Sequence, residues 1–144
     1  MIMRILTEQE ETLLFNDICA RIPYGIKIAE ISDNTTNGAY EVISANKETK
    51  VIGFNTPTCL IRCYRNMEMI KPYLRSMSSM TDEERKEYND IVKNTIDFYD
   101  CPKSEEICFF IIPIEWLNKH HFDYRGLIEK GLAIEVTKEN NPYK

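Results

Sequence analysis

The sequence predicts an α+β fold: an N-terminal helix, an antiparallel meander or small barrel, a capped helix, a buried strand and a C-terminal helical hairpin. Three observations predict it. The apolar period is near four at the N-terminus, switches to two from Tyr24 to Arg65, and returns to three and four after Thr81. Two threonines, Thr7 and Thr81, each stand three residues before a glutamate, the signature of a capping box. A six-residue apolar run, Ile107 to Ile112, lies between Glu106 and Pro113.

Taken in order, Thr7 caps a helix to about Arg21. Leu14, Ile18 and Ile22 recur every fourth residue, with Phe15 and Cys19 beside them, and Pro23 stops the helix. Ile26 to Ile31 reads as a first strand, and Asp33 to Gly38 as a turn-rich loop. Tyr40 to Ala45, Lys50 to Phe54 and Cys59 to Tyr64 read as three more strands, with Cys59, Ile61 and Cys63 on one face of the last. Met67 to Met80 holds four methionines, Pro72 and three serines, and reads as an irregular connection. Thr81 and Glu84 open the clearest helix. Tyr88, Ile91, Val92, Thr95, Ile96 and Tyr99 form its apolar stripe. The run from Ile107 to Ile112 reads as a central strand covered on both faces. Pro113 suits the first turn of a helix to about His120. Asp123 is the expected N-cap of a short helix to Lys130, and Gly131 its left-handed cap. Ala133 to Val136 is a last short strand, and Lys138 to Lys144 should be loose.

At 144 residues the chain is expected to form a single domain, residues 1–144, that buries about two-thirds of its unfolded surface. No window approaches the ~18 apolar residues of a membrane span, and Met1 to Leu6 is too short an apolar run for a secretory signal. The expected location is the cytoplasm. Five cysteines without a regular framework fit reduced thiols there. The net charge of −5 is concentrated in residues 67–106, which hold six basic and ten acidic side chains. No run of clustered Lys and Arg offers a grip on phosphate backbones, so a nucleic-acid partner is not expected.

Three blocks carry a resemblance: Asp17 to Gly25, Ile70 to Thr81, and Glu115 to Ala133. The chain resembles a family of small uncharacterised proteins of gut Bacteroidales and their phages. That resemblance implies a phage or mobile-element setting and cytoplasmic residence, and it transfers no catalytic residue.

Lys71, Tyr73 and Arg75 alternate along an extended stretch, which would place two cations and an aromatic on one side, as a phosphate-bearing ligand requires. Trp116, with Leu117 and Phe122, is expected to anchor the third block on the sheet. Were it exposed, Trp116 with His120, His121 and Arg125 would form a partner-binding patch. A hydrolase reading would make His121 a base oriented by Asp123. Asp123 is better explained as a cap, so no catalytic residue is assigned. His120 and His121 lack the spacing of four that helical metal ligands need. No phosphate-binding glycine loop occurs, and no metal or cofactor is expected. The expected function is a non-enzymatic phage or mobile-element accessory protein that binds a host partner. The alternative is a protein that binds or sequesters a nucleotide-like small molecule.

Overall fold

The computed structural model describes residues 4–33, 35–58, 61–99 and 106–144, with side chains left aside at 97–99 and 106–111. Its described elements are three helices and seven strands, the α+β class read from the sequence. They are α1 (Glu8–Arg21), β1 (Lys27–Ser32), β2 (Thr35–Asn46), β3 (Val51–Phe54), β4 (Cys63–Asn66), β5 (Ile70–Ser76), α2 (Asp82–Tyr99), α3 (Glu106–Lys119), β6 (Phe122–Asp123) and β7 (Ile134–Glu135).

Both helix starts are built as their sequences require. Thr7 Oγ1 accepts from the Glu10 amide at 3.1 Å while Glu10 Oε1 accepts from the Thr7 amide at 3.0 Å. The same reciprocal pair joins Thr81 and Glu84 at the start of α2. Each pair satisfies two amides that have no partner inside the helix.

The strands lie in the order β4-β3-β2-β1-β5-β6, with β7 also paired to β5. From β4 to β5 the pairs are antiparallel. β6 and β7 run parallel to β5. The long β2 carries irregular register against both neighbours, between Ile28 and Glu30 on one side and between Val42 and Ser44 on the other. Such bulges bend and twist the sheet. The meander forms, but the sheet does not close into a barrel.

One core lies between α1 and the sheet. Leu14, Phe15 and Ile18 of α1 meet Ile26, Ile28, Val42, Ile52, Phe54, Met67, Ile70 and Leu74, with Leu127 and Leu132 closing the end. A second cluster, Met80, Trp116, Leu117 and Phe122, joins α3 to the end of β5 and takes Tyr88 and Ile91 of α2 against it. On the α2 stripe Tyr88, Ile91, Val92 and Ile96 are half-buried and Thr95 is buried, because α2 packs chiefly on α3.

Four expectations are corrected. The stretch read as a connection contains β5, which pairs with three strands. Its parallel neighbours begin only at Tyr73 and Arg75, so at Pro72 the strand is an edge on that side, where a missing donor is tolerated. The run from Ile107 to Ile112 belongs to α3, not to a strand, and Pro113 lies inside that helix rather than at its start. Six apolar residues are too few for periodicity to separate a buried strand from a helix. The C-terminal helical hairpin is absent among the described residues: after α3 the chain forms β6 and a turn. In that turn Gly131 (φ +72°) still provides the left-handed cap, with Leu132 N–H donating to Leu127 O and Gly131 N–H to Ile128 O. The last residues are pinned rather than loose, as set out below. Cys59, in the strand read from Cys59 to Tyr64, lies outside the described residues, and β4 starts only at Cys63. The Tyr99 side chain and the covering of Ile107 to Ile111 also lie outside what is described.

Candidate functional site

Three chain segments converge where β5 ends. Strand β5 alternates, with Ile70, Pro72 and Leu74 buried and Lys71, Tyr73 and Arg75 on the opposite, half-buried face. Helix α3 ends at Lys119, and the chain turns through His120 and His121 into β6. His121 adopts φ +64°, a left-handed conformation uncommon outside glycine, and this makes the reversal. Its carbonyl accepts the Arg75 amide at 2.8 Å, locking the turn to β5. The C-terminal segment crosses both. Tyr143 donates its hydroxyl to Tyr73 O at 2.8 Å and accepts the Lys27 amide at 3.1 Å, while Lys27 Nζ donates to Pro142 O at 3.0 Å. The Tyr143 ring stacks on His121 with centroids 3.8 Å apart and planes 10° from parallel.

The result is a cleft of about 480 Å³ lined by Arg75, Lys119, His120, His121, Asn141 and Tyr143. Four of the six are basic and none is a carboxylate. Arg75 lies 4.2 Å over the Phe122 ring and forks onto Glu84 at 2.7 and 2.8 Å. That fork holds the Glu84 carboxyl down at about 2, helped by its bond to the Thr81 amide. The fork uses two of the five guanidinium N–H groups, so three remain. His120 lies 4.2 Å from the Trp116 ring, and burial lowers its affinity for a proton. His121 is 9% exposed, with Nδ1 buried and without a hydrogen-bond partner. Burial first, then the charges of Arg21, His120 and Arg75, press its pKa down to about 4. At neutral pH the standing charge of the cleft therefore comes from Arg75 and Lys119.

A buried ion cluster lies alongside. Asp17 and Arg21, one helical turn apart on α1, are both 0% exposed and pair through two bonds of 3.0 and 3.1 Å. Arg21 Nη2 also donates to Phe122 O at 2.7 Å, and Arg125 Nη1 donates to Asp17 Oδ1 at 2.9 Å. Both guanidinium groups flank the Tyr124 ring, at 5.3 and 4.9 Å.

The structure redistributes the residues singled out in the sequence. Lys71, Tyr73 and Arg75 do share one face of β5, but they do not converge. Lys71 is roughly 13 Å along the strand from Arg75, and Tyr73 spends its hydroxyl on Gly38 O at 2.7 Å. Only Arg75 reaches the cleft, where it meets His120 and His121. Trp116 is 7% exposed inside the second cluster, donates Nε1 to Glu87 and stacks on Phe122, so it is core rather than presented surface. Arg125 turns to Asp17. Asp123 accepts the amides of Leu127 and Ile128 and lines a different cleft, of about 580 Å³, with Glu129 and Glu135. The His121 and Asp123 pair of a hydrolase is thereby separated.

Sequence reading missed Lys119, Asn141 and Tyr143 as cleft residues, and missed the Asp17–Arg21 pair. A signal existed for the pair. Asp17 and Arg21 fall three residues after Leu14 and Ile18, on the apolar stripe itself. Among the described residues no three His, Cys, Asp or Glu side chains gather as a metal ion needs, and no helix is long and apolar enough to cross a membrane. No family model matches the chain, no curated protein matches it in sequence, and no solved structure matches it in fold.

Proposed function

We propose that this is a non-enzymatic binding protein that holds a small phosphate-bearing anion in the cleft between β5, the end of α3 and the C-terminal segment. One observation supports it above all: in a chain of net charge −5, Arg75, Lys119, His120 and His121 line one cleft with no carboxylate among them. Phosphate oxygens suit a guanidinium with free N–H groups beside an ammonium. The carbonyls at the end of α3 oppose an anion, and Arg75 is partly neutralised by Glu84, so the affinity is modest, on the order of 0.1–1 mM. Neither histidine has a carboxylate to orient it as a base among the described residues, which favours binding over turnover.

Isothermal titration with inorganic phosphate and pyrophosphate at low ionic strength tests the reading. Lys119→Ala should weaken binding by about tenfold, the worth of one charge-assisted contact. Absence of heat with either anion up to about 10 mM would sink the reading, given that affinity range.

Capture of a host protein by a phage or mobile-element accessory protein is the second reading. Ile61, 77% exposed, just before the edge strand β4, and exposed Tyr64 on that strand support it. A host protein retained by the wild type and lost with Tyr64→Asp would favour this reading over the first.

A further inference from the structure

Resting on the anion-binding reading, we propose that Arg21 is a positioning residue for the cleft: it holds neutral His121 with its proton on Nε2, and His121 donates that N–H to the bound phosphate. Two enclosed polar atoms carry the argument. Arg21 Nη1 and His121 Nδ1 are both buried, and both lack a hydrogen-bond partner among the described residues. They belong to one neighbourhood, since Arg21 Nη2 donates to the carbonyl of Phe122, the residue next to His121, at 2.7 Å. Their chemistry is complementary. A guanidinium nitrogen can only donate, whereas an imidazole nitrogen accepts when it carries no proton.

Which nitrogen of a histidine holds the proton is set by what the other one meets. The side-chain acceptors of this neighbourhood are spent. The Asp17 carboxylate takes three bonds from Arg21 and Arg125. The Tyr143 hydroxyl, on the ring stacked against His121, is committed to Tyr73 O and the Lys27 amide. A proton on Nδ1 would be an enclosed donor beside a guanidinium, unpaired and facing like charge. A bare Nδ1 instead offers its lone pair to that cation. Of the charges that act on the ring Arg21 is foremost, followed by His120 and Arg75, and no carboxylate is among them. The proton therefore sits on Nε2. That nitrogen has no protein partner among the described residues either, but unlike Nδ1 it is not enclosed, and its ring lines the cleft. His121 thus joins Arg75 and Lys119 as a third donor without adding a charge. Arg21 is 0% exposed and acts only through the ring.

The experiment reads the His121 tautomer in long-range proton–nitrogen NMR spectra at pH 7.5, where protonated and bare ring nitrogens resonate far apart. Loss of the signals in His121→Phe assigns them. Wild type should carry the proton on Nε2 alone, and added inorganic phosphate should shift chiefly Nε2. By isothermal titration His121→Phe should bind phosphate about tenfold more weakly, the worth of one hydrogen bond to a charged ligand. The swap Asp17→Leu with Arg21→Met removes the guanidinium and leaves the net charge unchanged. In it both tautomers should appear, and the phosphate dissociation constant should rise by the inverse of the Nε2–H fraction. On the His121→Phe background the swap should cost no further affinity. A proton on Nδ1 in wild type, an unchanged tautomer in the swap, or full affinity in His121→Phe overturns the inference while leaving anion binding intact. Binding of no phosphate by wild type removes the anion-binding reading itself, and the donor role with it. Should the Phe variant not fold, as judged by its thermal transition, His121→Asn replaces it, since asparagine tolerates the left-handed conformation and is too short to place a donor at Nε2. Should the swap not fold, Asp17→Asn with Arg21→Gln replaces it, with the same outcomes required.

Discussion

Asp17 and Arg21 are the clearest case of a residue whose sequence setting and structural role diverge. Both are charged, yet they sit on the buried stripe of α1 and tie it to Phe122 O and Arg125. Removing one partner strands the others in a medium that solvates charge poorly. Asp17→Ala should therefore cost about 3–5 kcal/mol in chemical denaturation, while the double change Asp17→Leu with Arg21→Met should cost far less. A single change as mild as a surface substitution would refute the burial argument. Arg75 and Glu84 make a second residue-level prediction. Arg75→Ala should let the Glu84 carboxyl climb from about 2 toward its ordinary 4.5, read by a side-chain carboxyl NMR titration. His121 carries a consequence of the same sign for acid stability, in a higher pH range. Its proton affinity is lowered by folding, from 6.5 to about 4, so below pH 6.5 the unfolded chain takes up a proton that the folded chain refuses. Stability from this group is complete above pH 6.5 and is lost as the pH falls toward 4. The melting temperature of His121→Phe should accordingly fall less steeply than that of wild type across that interval. What was legible at this scale was identity without direction. Arg75, His120, His121 and Arg125 stood out as chemistry-bearing residues, but the partners that spend or spare them come from other segments, for Arg125 from Asp17, 108 positions away.

The elements divide by how local their signals are. Both capping boxes were readable because all their atoms lie within four residues. Gly131 was readable for the same reason. Thr81→Ala should cost about 1 kcal/mol of stability. The loss should exceed that of the corresponding change at Thr7, because Glu84 also anchors Arg75 at the cleft. Comparison of the two variants by urea denaturation checks this, and equal losses would show that the Arg75 fork adds nothing. Strand β5 was not readable. Its proline and the methionines and serines that flank it mark a loop when judged locally, and only pairing with β1, β6 and β7 makes it a strand. The run at Ile107 to Ile112 failed in the other direction. Its composition favours a strand, but the same residues continue into α3, whose length supplies backbone hydrogen bonds that a six-residue strand would need from neighbours. The C-terminal segment was misjudged because Lys138 to Lys144 is polar. Tyr143 pins it through two hydrogen bonds and a stacked ring, and Lys27 adds a bond to Pro142 O.

At the scale of the whole molecule, the three sequence blocks that seemed separate meet at one place. The first brings Asp17 and Arg21, the second Arg75, and the third Lys119, His120, His121 and Arg125. Two apolar clusters hold them there, one between α1 and the sheet and one between α3, β6 and the end of β5. The α+β class followed from the change of period along the chain, because periodicity reports which face is buried whatever it is buried against. The cleft did not, because it depends on the order of strands and on where the C-terminus crosses, and neither leaves a local mark. The most direct test of this arrangement is a histidine-resolved NMR pH titration of the wild-type protein, with and without inorganic phosphate. The account predicts that His121 titrates near 4 in the free protein and markedly higher once phosphate occupies the cleft. A His121 that titrates at the ordinary value of 6.5 and is indifferent to phosphate would contradict it.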